Sequence, residues 1–346
     1  MKASMQTLTV GAIAACAFIA PRVQAQRIFR TDSVLTVTIT TELGPLLRQR
    51  DSLELVKHPA VFSYAPDGGA PVNIPVKLRA RGHFRRQARN CEFPPLWLEV
   101  KSSDAKQTAL SGLNKVKITT NCRPKDKEFE QYILQEYVVY RAYAALTDAS
   151  YRTRLLHLTY RDTAGKIAPM TTWGFIIEDA DDVAIRLRRT VLPANGALFD
   201  DLEAEPLTLL STFEYFAGNT DWSISGLHNI VLLQDTTALA IPVAYDFDWT
   251  GAVNARYAFP DKSLPIHSVT QRLYRGNCPT PAQLKVTLDR FRSKHAAIDE
   301  IFTQVPQLAP DSVKRMKDFF DDFWKRLADP RSLPKEFAAD CQKRGN

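Results

Sequence analysis

The sequence predicts an α+β protein with a strand-rich first half and a mostly helical second half that carries one β-hairpin. Between Val34 and Val100, the short β-rich runs LTVTITT, VNIPVKLRARG and PLWLEV are separated by Pro, Gly and Asp. From Asp126 to Leu146, the apolar residues Phe129, Ile133, Tyr140 and Tyr143 recur at helical spacing. In the second half, Pro206, Thr280 and Asp311 each mark a helix start.

The chain opens with Lys2, an apolar run from Leu8 to Ala20 and a small-residue exit at Val23-Gln24-Ala25. That pattern predicts a secretory signal peptide over residues 1–25, since the run is too short for a hydrocarbon core about 30 Å thick. Ile13-Ala14-Ala15-Cys16 also resembles a lipobox that would anchor a lipid on Cys16, but the apolar run continues past the cysteine. No later run is long and apolar enough to span a bilayer, so a secreted or periplasmic protein is expected. Residues 26–178 would form the strand-rich part and 179–346 the helical part with the hairpin.

The formal net charge of +7 is mild and spread along the chain. It suits acidic or phosphorylated partners and gives little support for nucleic acid. Beyond residue 25 the cysteines are Cys91, Cys122, Cys278 and Cys341. An even count in an exported chain predicts two disulfides, with Cys91–Cys122 and Cys278–Cys341 preferred because each staples a different half.

In order, Val76 to Arg81 alternates apolar and basic residues, so one strand face packs and the other presents Lys77, Arg79 and Arg81. Either a solvated basic face or an anion-binding edge follows, because guanidinium forks match phosphate oxygens. Leu113 to Thr120 is a second such strand, with Lys115 and Lys117 on one face and Val116 and Ile118 on the other. In the helix that follows, Glu136 falls on the apolar stripe, and a carboxylate there needs a partner. Lys117 is expected ahead of Lys115, with one of the arginines as the alternative. Arg154–Tyr160 and Thr172–Glu178 read as two strands, followed by an acidic connector. A helix through Leu207, Leu210, Phe213 and Phe216 then ends at Gly218, which suits a left-handed cap.

His228 to Leu233 and Leu239 to Ala244 read as a hairpin turning over Gln234–Thr237. Antiparallel pairing brings Asn229 beside Asp246. Asp221, Asn229, Asp246 and Asp248 therefore gather near one hairpin end. Oxygen donors of this kind suit Mg²⁺ or Mn²⁺, and phosphoryl transfer asks for such a set. The motifs GxSxG, HExxH and GxxxxGK[ST] are missing. His228 and His267 are expected to be structural or surface groups, and Trp222, Phe247 and Trp249 to pack.

GNTDWS, the later HN and PVAYDFDWTG resemble the spore-coat kinase CotH family of atypical, protein-kinase-like enzymes, and KLRARGHFRR, LQEYVVYRAY and WGFIIED agree with it. The resemblance covers about Val76 to Gly251. It implies a two-lobed kinase-like fold, ATP as cofactor with Mg²⁺ or Mn²⁺, and a protein substrate. It further implies that Lys117, oriented by Glu136, contacts nucleotide phosphates beside Arg79 and Arg81. Asp221 would be the catalytic group, and Asn229, Asp246 and Asp248 would hold metal. Transfer of AMP or a glutamyl group, or an inactive binding module, are the alternatives on such a fold. A glycoside hydrolase is disfavoured, because neighbouring cations depress the carboxyl pKa that its acid needs raised.

Overall fold

The structure, a computed structural model, describes residues 26–343 and 345 except 53–55, 67–68 and 237–238. The expected signal peptide, the Cys16 lipid site and the end of the hairpin turn lie outside those residues.

Seven strands make a closed barrel in the order β1 (Leu35–Thr41), β2 (His58–Tyr64), β3 (Val72–Ala80), β4 (Leu96–Val100), β5 (Lys115–Thr119), β7 (Met170–Ile177) and β6 (Thr153–Asp162). All neighbours pair antiparallel except β6 and β1, whose parallel ladder from Leu35↔Leu156 to Thr41↔Asp162 shuts the ring. Alternation along the strands fills the barrel with Ile39, Phe62, Leu78, Leu98, Val116, Ile118, Leu158 and Ile176. A short helix α1 (Leu43–Arg48) adds Leu43 and Leu46 to that core.

A two-lobed kinase-like fold is therefore not what this chain adopts. The closed seven-stranded barrel replaces an open strand-rich lobe, and helices pack around and beyond it. The β1–β6 pairing that closes it joins strands far apart in sequence, and no local pattern announces it.

The helix α3 (Lys127–Leu146) follows the turn α2 (Ser102–Ala105) and is capped by the Asp126 carboxylate, which accepts from the Glu128 N–H. Its apolar stripe packs into a second core shared with α5 (Ala204–Ala217), α6 (Pro281–Gln304), α7 (Pro310–Ala328) and α8 (Ser332–Asp340). Beside them, α4 (Ala180–Arg186) leads to β8 (Thr190–Leu192), which adds a third strand to the hairpin of β9 (Ile230–Gln234) and β10 (Ala240–Ala244). Thr280 forms a capping box with Gln283 at the start of α6.

Both expected disulfides are present, Cys91–Cys122 and Cys278–Cys341. No helix among the described residues is long and apolar enough to cross a membrane. The two bonds fit an oxidising, extracytoplasmic setting.

Candidate active site

The outer wall of the barrel supplies one side of the site. Across β3, β4, β5 and β7 the pairing aligns Arg79, Trp97, Lys117 and Ile177 in one row. Four cations crowd the Trp97 ring, with Arg79, Arg81, Lys115 and Lys117 all 5.3 to 5.9 Å from its centroid. Arg79 and Lys115 have carboxylate partners, Glu99 and Asp179. Neither Arg81 nor Lys117 has an ion pair among the described residues. Lys117 is nevertheless buried, its Nζ 4.3 Å from the Tyr245 ring centroid and 5.0 Å from that of Tyr151. Burial, reinforced by Arg81 and opposed by Asp246, lowers its pKa to about 7.

The opposite side is built by the end of α5 and the hairpin. Gly218 ends α5 at φ +69°, and a Cβ there would strike the Phe319 ring at 2.6 Å. The chain then turns through Asn219, whose Oδ1 accepts from the Asp221 N–H at 2.9 Å. Ser223 and His228 exchange two backbone hydrogen bonds of 3.0 Å, which folds residues 221–228 into a tight loop. Within it the Asp221 carboxylate is held on both oxygens, by His228 Nε2 at 2.9 Å and by Asn229 Nδ2 at 3.1 Å. Asn229 Nδ2 also donates to the Asp221 carbonyl at 2.8 Å. His228, expected to be structural, is thus a direct partner of Asp221. Its pKa is raised by that hydrogen bond, against a smaller opposing effect of burial.

Asn229 stands one step before β9 and Asp246 two steps past β10, and the Tyr245 N–H donates to the Asn229 carbonyl at 3.0 Å. Both adopt left-handed backbone, at φ +55° and +65°. Asn and Asp tolerate that region best, yet each such residue costs energy that the surrounding structure must offset. Asp246 is fixed by its N–H donating to the Tyr140 hydroxyl at 2.8 Å, and Phe247 behind it is buried against Tyr140, Tyr143 and Phe213.

Glu136 is paired with Arg85 and not with Lys117. Arg85, from the turn after β3, reaches Glu136 Oε2 at 3.2 Å, Asp246 Oδ1 at 3.3 Å and Asp248 Oδ2 at 3.4 Å. Asp248 Oδ2 also accepts from the Tyr257 hydroxyl at 3.1 Å. Three carboxylates share one guanidinium in a dry place, so burial pushes the Glu136 and Asp248 pKa values upward against the pull of Arg85. The sequence offers several arginines in this turn, and no periodicity marks Arg85 as the buried one.

These groups open onto a cavity of about 450 Å³ lined by Arg81, Arg85, Asp221, His228, Asn229 and Asp246, among others. Arg79 and Lys117 stand just outside that lining. The chain matches no known protein family, no curated protein and no solved structure. Geometry alone therefore ranks the sites. A larger cavity of about 690 Å³ beside α7 is lined by Arg272, Arg326 and Asp322, but these are already paired with one another or with Glu336 on α8. It gathers none of the residues that the sequence singled out.

The donor set fits a hard divalent cation. Glu136, Asp246 and Asp248 offer oxygens within 4.8 Å of one another, and Glu136 Oε1 is buried without a hydrogen-bond partner. Asn229 Oδ1 adds a neutral oxygen on the open side.

Proposed function

We propose that the protein is an exported, metal-dependent transferase that moves a phosphoryl group from ATP to a hydroxyl group of a protein acceptor. The observation that carries this reading is the meeting of Asp221, Asn229 and Asp246 at one cavity whose rim holds two cations without carboxylate partners. The cavity is lined by no serine, threonine or cysteine, and in this reading the acceptor hydroxyl comes from a second substrate. The motif resemblance to the CotH enzymes supports the same chemistry, without their fold.

In this reading Asp246 and Asn229 hold Mg²⁺ or Mn²⁺, which would neutralise charge on the transferring group. Lys117 and Arg81 face the remaining phosphate charge, with Arg79 further along the same row. Asp221 orients the acceptor hydroxyl and accepts its proton while the acceptor oxygen bonds to the γ-phosphorus and the bond to the bridging oxygen breaks, releasing ADP. His228 and Asn229 fix the Asp221 carboxylate in place. Removing one such group typically costs 10²-fold or more in rate.

The test is incubation with Mn²⁺ or Mg²⁺ and ATP labelled at the α or the γ phosphate, with Asp221→Ala and Asp246→Ala alongside. Label from the γ position, reduced about 100-fold or more in both variants, is expected. Label from the α position would replace this reading with AMP transfer. Absence of nucleotide binding by calorimetry with either metal would leave a binding module.

A further inference from the structure

We propose that Arg85 is a built-in cation that fills the inner part of the acidic cluster, so that the cleft takes a single divalent ion on the outer side of Asp246. This rests on the metal-dependent reading above and assigns its ion count and ligands. It also removes Asp248 from the ligand set that the sequence suggests.

Glu136, Asp246 and Asp248 converge closely enough to surround one ion. The guanidinium of Arg85 already stands there: Nη1 donates to Glu136, Nη2 donates to Asp246, and Nε lies 3.4 Å from Asp248. A planar, permanently charged fork that hydrogen-bonds two carboxylates and stands in ion-pair contact with a third is a matched filling of the site, and not a side chain passing by. The Arg85 side chain is 6% exposed, and those of Glu136 and Asp248 are 1% and 7% exposed. The turn that carries it is fixed nearby. Asn90 Nδ2 donates to the Phe84 carbonyl at 2.9 Å, and Cys91 is bonded to Cys122.

Asp246 differs from its two neighbours. Its side chain is 35% exposed, it faces the cavity, and only its Oδ1 is engaged by Arg85. Asn229 lines the same cavity and can offer its amide oxygen there. The buried Glu136 Oε1 has no hydrogen-bond partner, so Arg85 leaves one acceptor of the cluster unfilled. Glu136 and Asp248 are then positioning residues that hold Arg85, and through it the Asp246 carboxylate.

Manganese binding to the purified protein tests this directly, read by the loss of the free Mn²⁺ resonance signal and by calorimetry, with no turnover required. One Mn²⁺ per chain is expected for the unaltered protein and two for Arg85→Gln. Asp246→Asn should weaken Mn²⁺ binding at least 30-fold, while Asp248→Asn should change it less than about 3-fold. The Asp246 and Asp248 variants decide the matter even if Arg85→Gln fails to fold. Two ions in the unaltered protein, one ion in a folded Arg85→Gln, or equal losses in the two aspartate variants would overturn the proposal while leaving metal-dependent transfer standing. Absence of Mn²⁺ binding in the unaltered protein would overturn both.

Discussion

The barrel interior and the cleft on its outer wall are made from the same strands but solve opposite problems. On β5, Val116 and Ile118 point inward and Lys117 outward, and all three are buried. Inside, apolar side chains meet apolar side chains, and burial stabilises the fold. Outside, the wall is covered by Tyr151 and Tyr245, and what it buries is an ammonium group without a counter-ion. Strand alternation sets the face on which a residue lies, while distant parts of the chain decide whether that face is wet. Burying an unpaired charge costs stability, and such cost gathers where binding or chemistry takes place.

The contrast can be broken most strongly from the inside. Leu98→Ala, at a fully buried interior position, should lower stability by about 2–5 kcal/mol, read as a fall in the urea midpoint. A fall well below that range would mean that the barrel interior is not the stabilising half of the comparison. Lys117→Met should act in the opposite direction. The folded pKa of Lys117, about 7, lies below its ordinary value of 10.5. The unfolded chain takes up this proton below 10.5, whereas the folded chain does so only near 7, so stability falls as pH drops between those values. Methionine removes that loss, and Tm at pH 7 should rise by about 5 °C, a gain that fades towards pH 10.5. An unchanged Tm at pH 7 would show that Lys117 has its charge compensated.

Glu214 on α5 gives an effect of similar size with the reverse pH trend. Burial raises its pKa to about 8, partly offset by Asn219, and neither of its carboxylate oxygens has a hydrogen-bond partner within bonding geometry. A carboxyl group raised in this way contributes its full stability below its ordinary value and loses it as pH rises through 8. Glu214→Gln should therefore raise Tm by about 5 °C at pH 8.5 and by almost nothing at pH 4. An equal shift at both values would assign the effect to packing instead.

What the sequence made legible was local. The helix starts at Asp126 and Thr280, the Gly218 turn and the alternation from Val76 to Arg81 each depend on neighbours within a few residues. Asn229 and Asp246 were also within reach, because a hairpin register follows from its own strands. β2, β8, α1 and α8 were missed. β8 is too short to show alternation, and α1 holds only two buried residues. The ring closure and the partner of Glu136 depend on pairings between remote segments. The pairing of His228 with Asp221 depends on the loop of residues 221–228, which folds back on itself, and HN following GNTDWS was its only trace.

The parallel seam between β1 and β6 has a temporal consequence. β1 is among the first strands to leave the ribosome, whereas its partner arrives only after most of the other strands and α3 have been made. Until then β1 can pair only through β2, and its other edge stays open to the strands of neighbouring chains. Late, non-local closure slows folding and lengthens the aggregation-prone interval. The yield of refolded protein should accordingly depend on dilution, and the first strand should be the last to gain hydrogen-exchange protection on both edges.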